Sequence, residues 1–277
     1  MIELFQTLFV HPLLNLLVAM YQLFSFLHIP SALGFSIVGL TVLIRLLLSP
    51  LTATQLKASK KMQDISPHIS RIRDQHKNDA KRIQEETMRL YKEHGVNPAA
   101  GCLPVLLQLP LIWALYSVLQ EAVRENANVV AEVNKVVYVD ALKLQSPWNT
   151  HFFGIPLGQT PSHLVSVLPL IVLIPLITAI LQFIQSKMMV AAKPTASIKQ
   201  VKKKGEEKKQ QDDFAQAFQT QSLYIFPIMI GWFSYTLPAG LSLYWNTFTL
   251  FGILQQYQVH GLGGLSDLPF LKERKNK

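Results

Sequence analysis

The chain has 277 residues, of which 49% are hydrophobic and only 16% charged, and its formal net charge is +9. A soluble domain of ordinary composition carries charge on about a quarter of its residues. The composition therefore favours an integral membrane protein over a soluble domain, which would need several fully buried helices in a small fold. The single cysteine, Cys102, excludes an intrachain disulfide.

Apolar residues are gathered into six blocks, five of which we assign as membrane spans. Most blocks approach the about 17–25 residues that a helix needs to cross the hydrocarbon core. We predict an all-α integral membrane protein, with a bundle of five transmembrane helices. In chain order the predicted segments are an extracytoplasmic interfacial amphipathic helix (1–31), the first span (32–56), a cytoplasmic helical hairpin (57–100), the second span (101–121), an extracytoplasmic loop (122–162), the third span (163–187), a basic cytoplasmic loop (188–219), the fourth span (220–237), the fifth span (238–257) and a short basic cytoplasmic tail (258–277).

The N-terminal apolar block, 8–30, is the one that we do not assign as a span. It contains His11, Pro12, Asn15 and Gln22, and it leaves no room for a loop before the next block. A sixth span would also require a cytoplasmic N-terminus, although residues 1–35 contain no Lys or Arg. We therefore predict a helix that lies on the outer surface of the membrane.

The first span contains one arginine, Arg45, within the apolar run TVLIRLLLSP. A charged residue near the centre of a span costs about 2.5–3.5 kcal/mol on insertion scales. Arg45 lies twelve residues from Lys57, about 18 Å of helix, so we expect its side chain to face protein or water rather than lipid. Apart from Glu121 at the outer end of the second span, the other four spans contain no Asp or Glu, which favours a hydrated cavity around Arg45 over a buried ion pair. Thr41, one turn earlier, extends the same polar face.

The segment after the first span is predicted to form an amphipathic helical hairpin. Ser66 and Pro67 are typical of a helix start, with the serine as cap and the proline in the first helical position. Asp79 could cap a second helix, and Gly95 is expected to end it. The basic segment 193–213 is polar and repetitive, and we expect it to be a solvated, largely disordered loop.

Lys and Arg residues set the predicted orientation. Segment 57–100 contains ten of them, 187–219 eight and the tail four, whereas 121–163 contains three. Because cytoplasmic segments carry the excess of basic residues, we predict a multi-pass protein with its N-terminus outside and its C-terminus inside.

Three stretches of the sequence resemble the YidC family of membrane protein insertases. They are FSIVGLTVLIRLLLSPLTATQLKASKKMQDISPHISRIRDQHKND, RLYKEHGVNPAAGCLPVLLQLPLIWALYSVL and TLPAGLSLYWNTFTLFGILQQY, and they occur in the family's order over about residues 8 to 257. The resemblance implies a protein of the bacterial cytoplasmic (inner) membrane, with a minimal five-span core around a hydrophilic groove and without the large outer domain of long family members. It implies an insertase or chaperone that moves nascent transmembrane segments from the cytoplasm into the bilayer without nucleotide hydrolysis.

The resemblance and the polar residues of the spans together give a candidate substrate groove. The family's groove arginine matches Arg45, the threonine one turn before it matches Thr41, and an aromatic residue that contacts substrate matches Trp245, beside Tyr244. A third-span glutamine matches either Gln182 or Gln185, and the sequence does not choose between them. The predicted groove residues are Thr41, Arg45, Gln108, Gln182, Gln185, Ser242, Tyr244, Trp245 and Asn246.

The hairpin is the predicted site of substrate recruitment, because its helices can present basic side chains to a partner in a fixed arrangement. The residues assigned to it are Lys60, Lys61, Pro67, Arg71, Arg73, Lys81, Arg82 and Arg89. Its partners are nascent membrane proteins, and ribosomal RNA, a targeting receptor and anionic lipid are all compatible with its charge. The sequence does not distinguish action alone from action beside the Sec translocon, and a monomer is compatible with it.

Other classes of function fit the sequence less well. A small transporter would be expected to show internal repeats or acidic residues within the membrane, and a membrane assembly scaffold would not explain Arg45. No constellation for nucleophilic catalysis or metal binding is recognisable in the spans, so we expect no enzyme activity, no cofactor and no DNA partner.

Overall fold

The computed structural model describes residues 2–76, 79–96, 103–123, 128–189 and 210–267, which are mostly helical. The helices are α1 (Ile2–Phe5), α2 (His11–Phe26), α3 (Ala32–Leu47), α4 (Ser49–Gln75), α5 (Ala80–Glu93), α6 (Leu103–Ala122), α7 (Val129–Val136), α8 (Pro161–Leu164), α9 (Leu173–Met189), α10 (Gln210–Thr236) and α11 (Ala239–His260). A π-helical segment (Gln6–Val10) joins α1 to α2, and short 3-10 segments occupy Asp140–Leu142, Pro169–Val172 and Gly263–Asp267. Two antiparallel two-residue strands, β1 (His151–Phe152) and β2 (Ile155–Pro156), form a small hairpin within the predicted loop 122–162.

The length and apolar character of the helices make this an all-α membrane protein in outline. Two stretches of the described residues, Glu3–Phe26 and Pro169–Met189, are long and apolar enough to cross a bilayer. A third qualifies if Ala32–Leu47 and Ser49–Gln75 are taken together. The first of these stretches falls in the segment predicted to lie on the membrane surface, so that placement stays a prediction, as does the count of five spans.

The predicted helix start at Ser66 and Pro67 is wrong, because α4 already begins at Ser49 and continues through Pro67. The same Ser-Pro pair occurs at Ser49 and Pro50, immediately after α3 ends. A proline disfavours helical geometry in the residue before it, yet its fixed φ suits the first turn of a new helix. The local signal was therefore read correctly in kind but assigned to the wrong one of two Ser-Pro pairs.

The predicted basic loop 188–219 also differs from the structure at its end. The helix α10 begins at Gln210, within the segment predicted to be a loop. The rest of this segment, 190–209, lies outside the described residues. The same is true of Cys102.

By compactness the chain divides into two units, of which the first comprises residues 1–49, 105–181 and 228–251. In this unit α2 packs against α3, and Leu17 of α2 and Leu33 of α3 are fully buried. Val118 of α6 and Leu241 of α11 belong to the same hydrophobic core. This core holds the arginine-bearing helix α3 in place.

Polar contacts fix the loop that follows α6 within the first unit. The side-chain amide of Asn15 in α2 donates to the carbonyl of Val136 at 2.8 Å, and its oxygen accepts from the backbone N–H of Tyr138 at 2.7 Å. Further along, the backbone N–H of Gly240 donates to the carbonyl of Leu157 at 2.8 Å. The N-terminal turn of α11 is thereby bound to the loop by main-chain hydrogen bonds, which satisfies a helix donor that would otherwise need a cap.

The second unit comprises residues 50–104, 182–227 and 252–277. Here α5 begins as predicted, because the Asp79 carboxylate accepts from the backbone N–H of Arg82 at 3.0 Å. The helix ends before Gly95, whose φ of +61° is the left-handed conformation that glycine adopts at helix ends. The rings of His68 in α4 and His94 after α5 lie 6.3 Å apart, so the end of α5 lies beside α4, while the cytoplasmic hairpin stays a prediction.

Candidate functional site

Arg45 lies in the last turn of α3 with only 7% of its surface exposed. Its Nη2 atom donates to the backbone carbonyl of Phe248 at 2.7 Å, and the central guanidinium carbon lies 3.4 Å from the centre of the Phe248 ring. A cation over an aromatic face is stabilised by about 2 kcal/mol or more where water is excluded. Arg45 therefore faces protein rather than lipid. A backbone carbonyl and an aromatic ring, rather than an acidic side chain, provide these contacts.

The position of Arg45 follows from the two faces of α3. Ile37, Thr41 and Ile44 are buried on the same side of the helix, whereas Leu46 and Leu47 are exposed. The Thr41 hydroxyl donates to the carbonyl of Ile37 at 2.6 Å, as buried threonines in helices commonly do. Thr41 and Arg45 thus share one face, as their spacing predicted.

The aromatic residues predicted for the groove lie on α11, the helix that carries Phe248. Tyr244 is buried, and its ring centre is 5.7 Å from that of Phe248. Trp245 and Asn246 are half-buried. No described residue donates a hydrogen bond to Asn246 Oδ1, which leaves a buried acceptor close in sequence to the Arg45 contact.

A chain of three buried hydroxyls joins α9, α10 and α11. Thr178 Oγ1 lies 3.0 Å from Ser234 Oγ, which in turn donates to Ser242 Oγ at 2.9 Å. Ser242 also approaches the carbonyl of Ser234 at 3.2 Å. Such hydroxyls hold helices together in an apolar medium, where each buried polar group needs a partner.

A small cavity adjoins the hydroxyl chain. Its volume is about 10 Å³, which is close to the smallest space that holds one water molecule. Trp245 lines this cavity together with the three hydroxyl residues and apolar side chains of α10 and α11. Ser242 and Trp245 of the predicted groove are therefore brought together at one cavity.

The three glutamines predicted for the groove lie on α9 and α6. Gln182 is buried and Gln185 is half-buried on α9, and both belong to the second unit, whereas Arg45 belongs to the first. The backbone of Gln108 lies in α6, but its side chain is outside the described residues. The choice between the two α9 glutamines stays a prediction.

Most of the residues assigned to the hairpin are exposed, and Lys60 has a structural contact. On α4 these are Lys60, Lys61, Pro67 and Arg71, with Arg73 half-buried, and on α5 they are Lys81, Arg82 and Arg89. The Lys60 ammonium donates to the carbonyl of Val259 at 3.1 Å, within the last turn of α11. A cation at this end of a helix is stabilised by the helix dipole.

Neighbouring polar contacts involve the same helix α4. The Gln63 side-chain amide donates to the carbonyl of Met189, the last residue of α9. The Gln255 amide of α11 donates to the hydroxyl of Thr52 at 3.2 Å. Lys60 and Gln63, one turn apart on α4, therefore supply donors to the carboxyl ends of two other helices, which leave carbonyls unpaired unless something caps them.

Two residues of the site, Phe248 and Thr178, were absent from the sequence-based prediction. Phe248 follows Tyr244 by four residues on α11, so the helical spacing of aromatic residues was the signal that could have identified it. An aromatic ring, as well as an acidic residue, can stabilise a buried guanidinium. Thr178 precedes Gln182 by one turn and resembles an ordinary packing threonine.

Comparison with known proteins gives the family. The model of the family described as the 60Kd inner membrane protein matches residues 23–262. A Membrane protein insertase YidC of Fusobacterium nucleatum is 32% identical over 224 residues, which are 81% of this chain and 84% of that protein. A protein of the same name from Streptomyces avermitilis is 33% identical over 232 residues, 82% of this chain. The Inner membrane protein ALBINO3, chloroplastic, of Arabidopsis thaliana is 31% identical over 262 residues, 91% of this chain.

The coverage of the relatives differs. The matched region spans 51% of the length of both the Streptomyces and the Arabidopsis proteins. The apolar helices and the polar side chains buried among them define an α-helical, multi-pass protein of the inner membrane. Within that class the chain belongs to the 60Kd inner membrane protein family, the family of the YidC-type insertases.

Proposed function

We propose that the chain is a membrane protein insertase and chaperone, which moves nascent transmembrane segments from the cytoplasm into the bilayer. Membership of the family supports this proposal, because relatives that match over most of this chain are named membrane protein insertases. The observation that carries it is a charged side chain, Arg45, buried in an apolar helix beside the aromatic residues of α11.

The physical task explains why polar groups belong among the helices. The polar flank of a nascent segment must pass through hydrocarbon, where each unsatisfied polar group costs several kcal/mol. A hydrophilic groove that reaches partway across the membrane shortens that path. The apolar part of the substrate then enters the lipid sideways, driven by burial of its own apolar surface, and no nucleotide is consumed.

Arg45 is the proposed electrostatic element of the groove. Its guanidinium is charged at any physiological pH, and its contacts with Phe248 hold that charge in a fixed position. It would attract acidic residues in the flank that is being translocated, or keep the groove hydrated. Thr41, Gln108, Gln182, Gln185, Ser242, Tyr244, Trp245 and Asn246 are proposed to complete the groove.

The hairpin formed by α4 and α5 is the proposed site at which substrates arrive. Its exposed basic residues, among them Lys61, Arg71 and Arg82, suit a ribosome, a targeting receptor or anionic lipid on the cytoplasmic side. This assignment goes with an N-terminus outside and a C-terminus inside, and with action either alone or beside the Sec translocon.

A photo-crosslinker at Trp245 tests the groove. The control position is Leu250 on the same helix, whose side chain is exposed. Membranes containing either variant are incubated with ribosomes stalled while making a short single-span protein. We expect crosslinks to the nascent segment from position 245 and none from position 250. Equal crosslinking at both positions, or none at either with the protein folded and abundant, would contradict a groove at Trp245.

The electrostatic role of Arg45 has a separate test. We expect the variant Arg45→Ala to fold and to insert substrates with acidic outer tails less efficiently than the unchanged protein does. Substrates whose outer tails are neutral should be affected less. Normal insertion of several acidic-tailed substrates by this variant would refute attraction by the guanidinium.

A further inference from the structure

The hairpin of β1 and β2 has an unusual residue at its tip. Phe153 and Gly154 form the two-residue turn, and both have positive φ, +48° and +82°. This is the pattern of a type I′ turn, in which the first position is normally Asn, Asp or Gly. A bulky aromatic residue in the left-handed region is a genuine outlier, and such conformations persist only where the surrounding structure holds them.

Neither the turn nor the core accounts for the Phe153 side chain, because it is 70% exposed. In water an asparagine at this position would serve the turn better and would expose no apolar surface. Strained, exposed apolar residues of this kind point to something outside the chain that contacts them.

The surroundings of Phe153 indicate what that contact is. Its ring lies 6.0 Å from that of Phe35, and its backbone N–H is 3.2 Å from the hydroxyl of Ser31, the residue before α3. Phe152 packs between them, 5.3 Å from Phe35 and 4.7 Å from Phe153. The tip is therefore fixed beside the first turn of the apolar helix α3.

The composition around the hairpin agrees with this position. Residues 144–163 contain no Lys, Arg, Asp or Glu, whereas Asp140 and Lys143, just before them, form an ion pair at 2.6 Å. Phenylalanine, like Trp and Leu, is among the residues that interfacial segments bury at the boundary between headgroups and acyl chains. A stretch without Lys, Arg, Asp or Glu that exposes a phenylalanine at its turn suits that region better than it suits water.

From these observations we propose that Phe153 is a membrane-interface anchor, inserted among the lipids at the end of α3 that carries Phe35. The hairpin would bind lipid rather than a protein or a soluble ligand, and it would tie the loop after α6 to the bilayer surface. This proposal depends on the membrane location of the family and not on the insertase activity.

A fluorescent label tests the insertion directly. In a Cys102→Ala background, Phe153→Cys and, as a water-exposed control, Asp140→Cys are labelled with an environment-sensitive fluorophore. The full chain is reconstituted in vesicles of phosphatidylethanolamine and phosphatidylglycerol that contain nitroxide-labelled lipids. We expect emission at shorter wavelength from position 153, and a loss of intensity that is greatest when the nitroxide is on the upper acyl chain.

The opposite outcomes are equally clear. Emission like that of position 140, quenched by aqueous iodide, would place the tip in water. Emission at shorter wavelength that neither lipid nitroxide nor iodide quenches would indicate a protein contact. Either result would overturn the proposal.

A second variant removes the phenylalanine side chain and leaves the hairpin folded. Asparagine is favoured in this turn, so Phe153→Asn should relieve the backbone and preserve β1 and β2. If Phe153 is an anchor, hydrogen exchange of the hairpin amides in vesicles, including that of Leu157, becomes faster in this variant while that of α3 stays unchanged. Unchanged or slower exchange at the hairpin would show that the ring of Phe153 does not anchor the hairpin to the membrane.

Discussion

The contact between Arg45 and Phe248 can be measured by a double-mutant cycle. Phe248→Leu removes the ring but keeps the backbone carbonyl that accepts from the guanidinium at 2.7 Å. Arg45→Gln removes the charge but keeps an amide donor. The pair therefore isolates the interaction of the cation with the ring, whose centre lies 3.4 Å from the guanidinium carbon.

The expected coupling free energy is about 1–2 kcal/mol, since desolvated cation–aromatic pairs reach about 2 kcal/mol and some of this is recovered by relaxation. Each single variant should also lose stability, and the double variant should be less destabilised than the sum of the two. The assay is reversible unfolding in mixed micelles with increasing mole fraction of SDS, monitored by circular dichroism for all four proteins.

A matched cycle supplies the control. Leu250→Ala alters an exposed residue of α11, and its coupling to Arg45→Gln should be within about 0.5 kcal/mol of zero, as for independent sites. If the cycle with Phe248 gives a coupling no larger than this control, the ring does not stabilise the buried charge and the reasoning fails.

Two further predictions concern loop closure and helix ends. A Cβ atom at Gly158 would lie 2.5 Å from the carbonyl oxygen of Val123, so the variant Gly158→Val should lose about 1–3 kcal/mol of stability by overpacking. Its thermal unfolding midpoint in detergent should fall below that of the control variant Gln159→Ala, which alters the exposed neighbour. Equal midpoints for the two variants would contradict the close approach. Lys60→Met removes a hydrogen-bond donor and a charge that stabilises the end of α11 by about 0.3–1 kcal/mol, so hydrogen exchange in the last turn of α11 should become faster. The control variant Lys61→Met should leave that exchange unchanged. Equal exchange in both variants would refute the capping contact.

The helix ends show how far local sequence determines this fold. Asp79 and Gly95 were predicted as the limits of α5, and both predictions are confirmed, because capping and left-handed conformations depend on residues within one turn. Pro67 was misassigned, since a proline in a helix interior removes one hydrogen bond and costs about 3 kcal/mol, which contacts elsewhere can offset. Ile65 of α4 is buried beside it, and such burial is invisible to a local pattern.

The candidate site shows the opposite limit. The sequence predicted that Arg45 would avoid lipid, because the cost of a charge in hydrocarbon is independent of the fold. It did not predict Phe248 as the contact, since the two residues are separated by 203 positions and any aromatic residue of the later helices could have served. The loop residues that Asn15 binds could not be predicted from the sequence either, because their position depends on the packing of α2 against the rest of its unit.

The hydroxyl chain of Thr178, Ser234 and Ser242 has a consequence for the range of substrates that the proposed groove would accept. A hydroxyl both donates and accepts, so the single Ser234 proton can serve either neighbour by rotation about one bond. A carbonyl or an amide of a substrate that reached this part of the proposed groove would therefore find a hydrogen-bond partner in either case. Hydroxyl groups of this kind would accept many substrate sequences rather than select one.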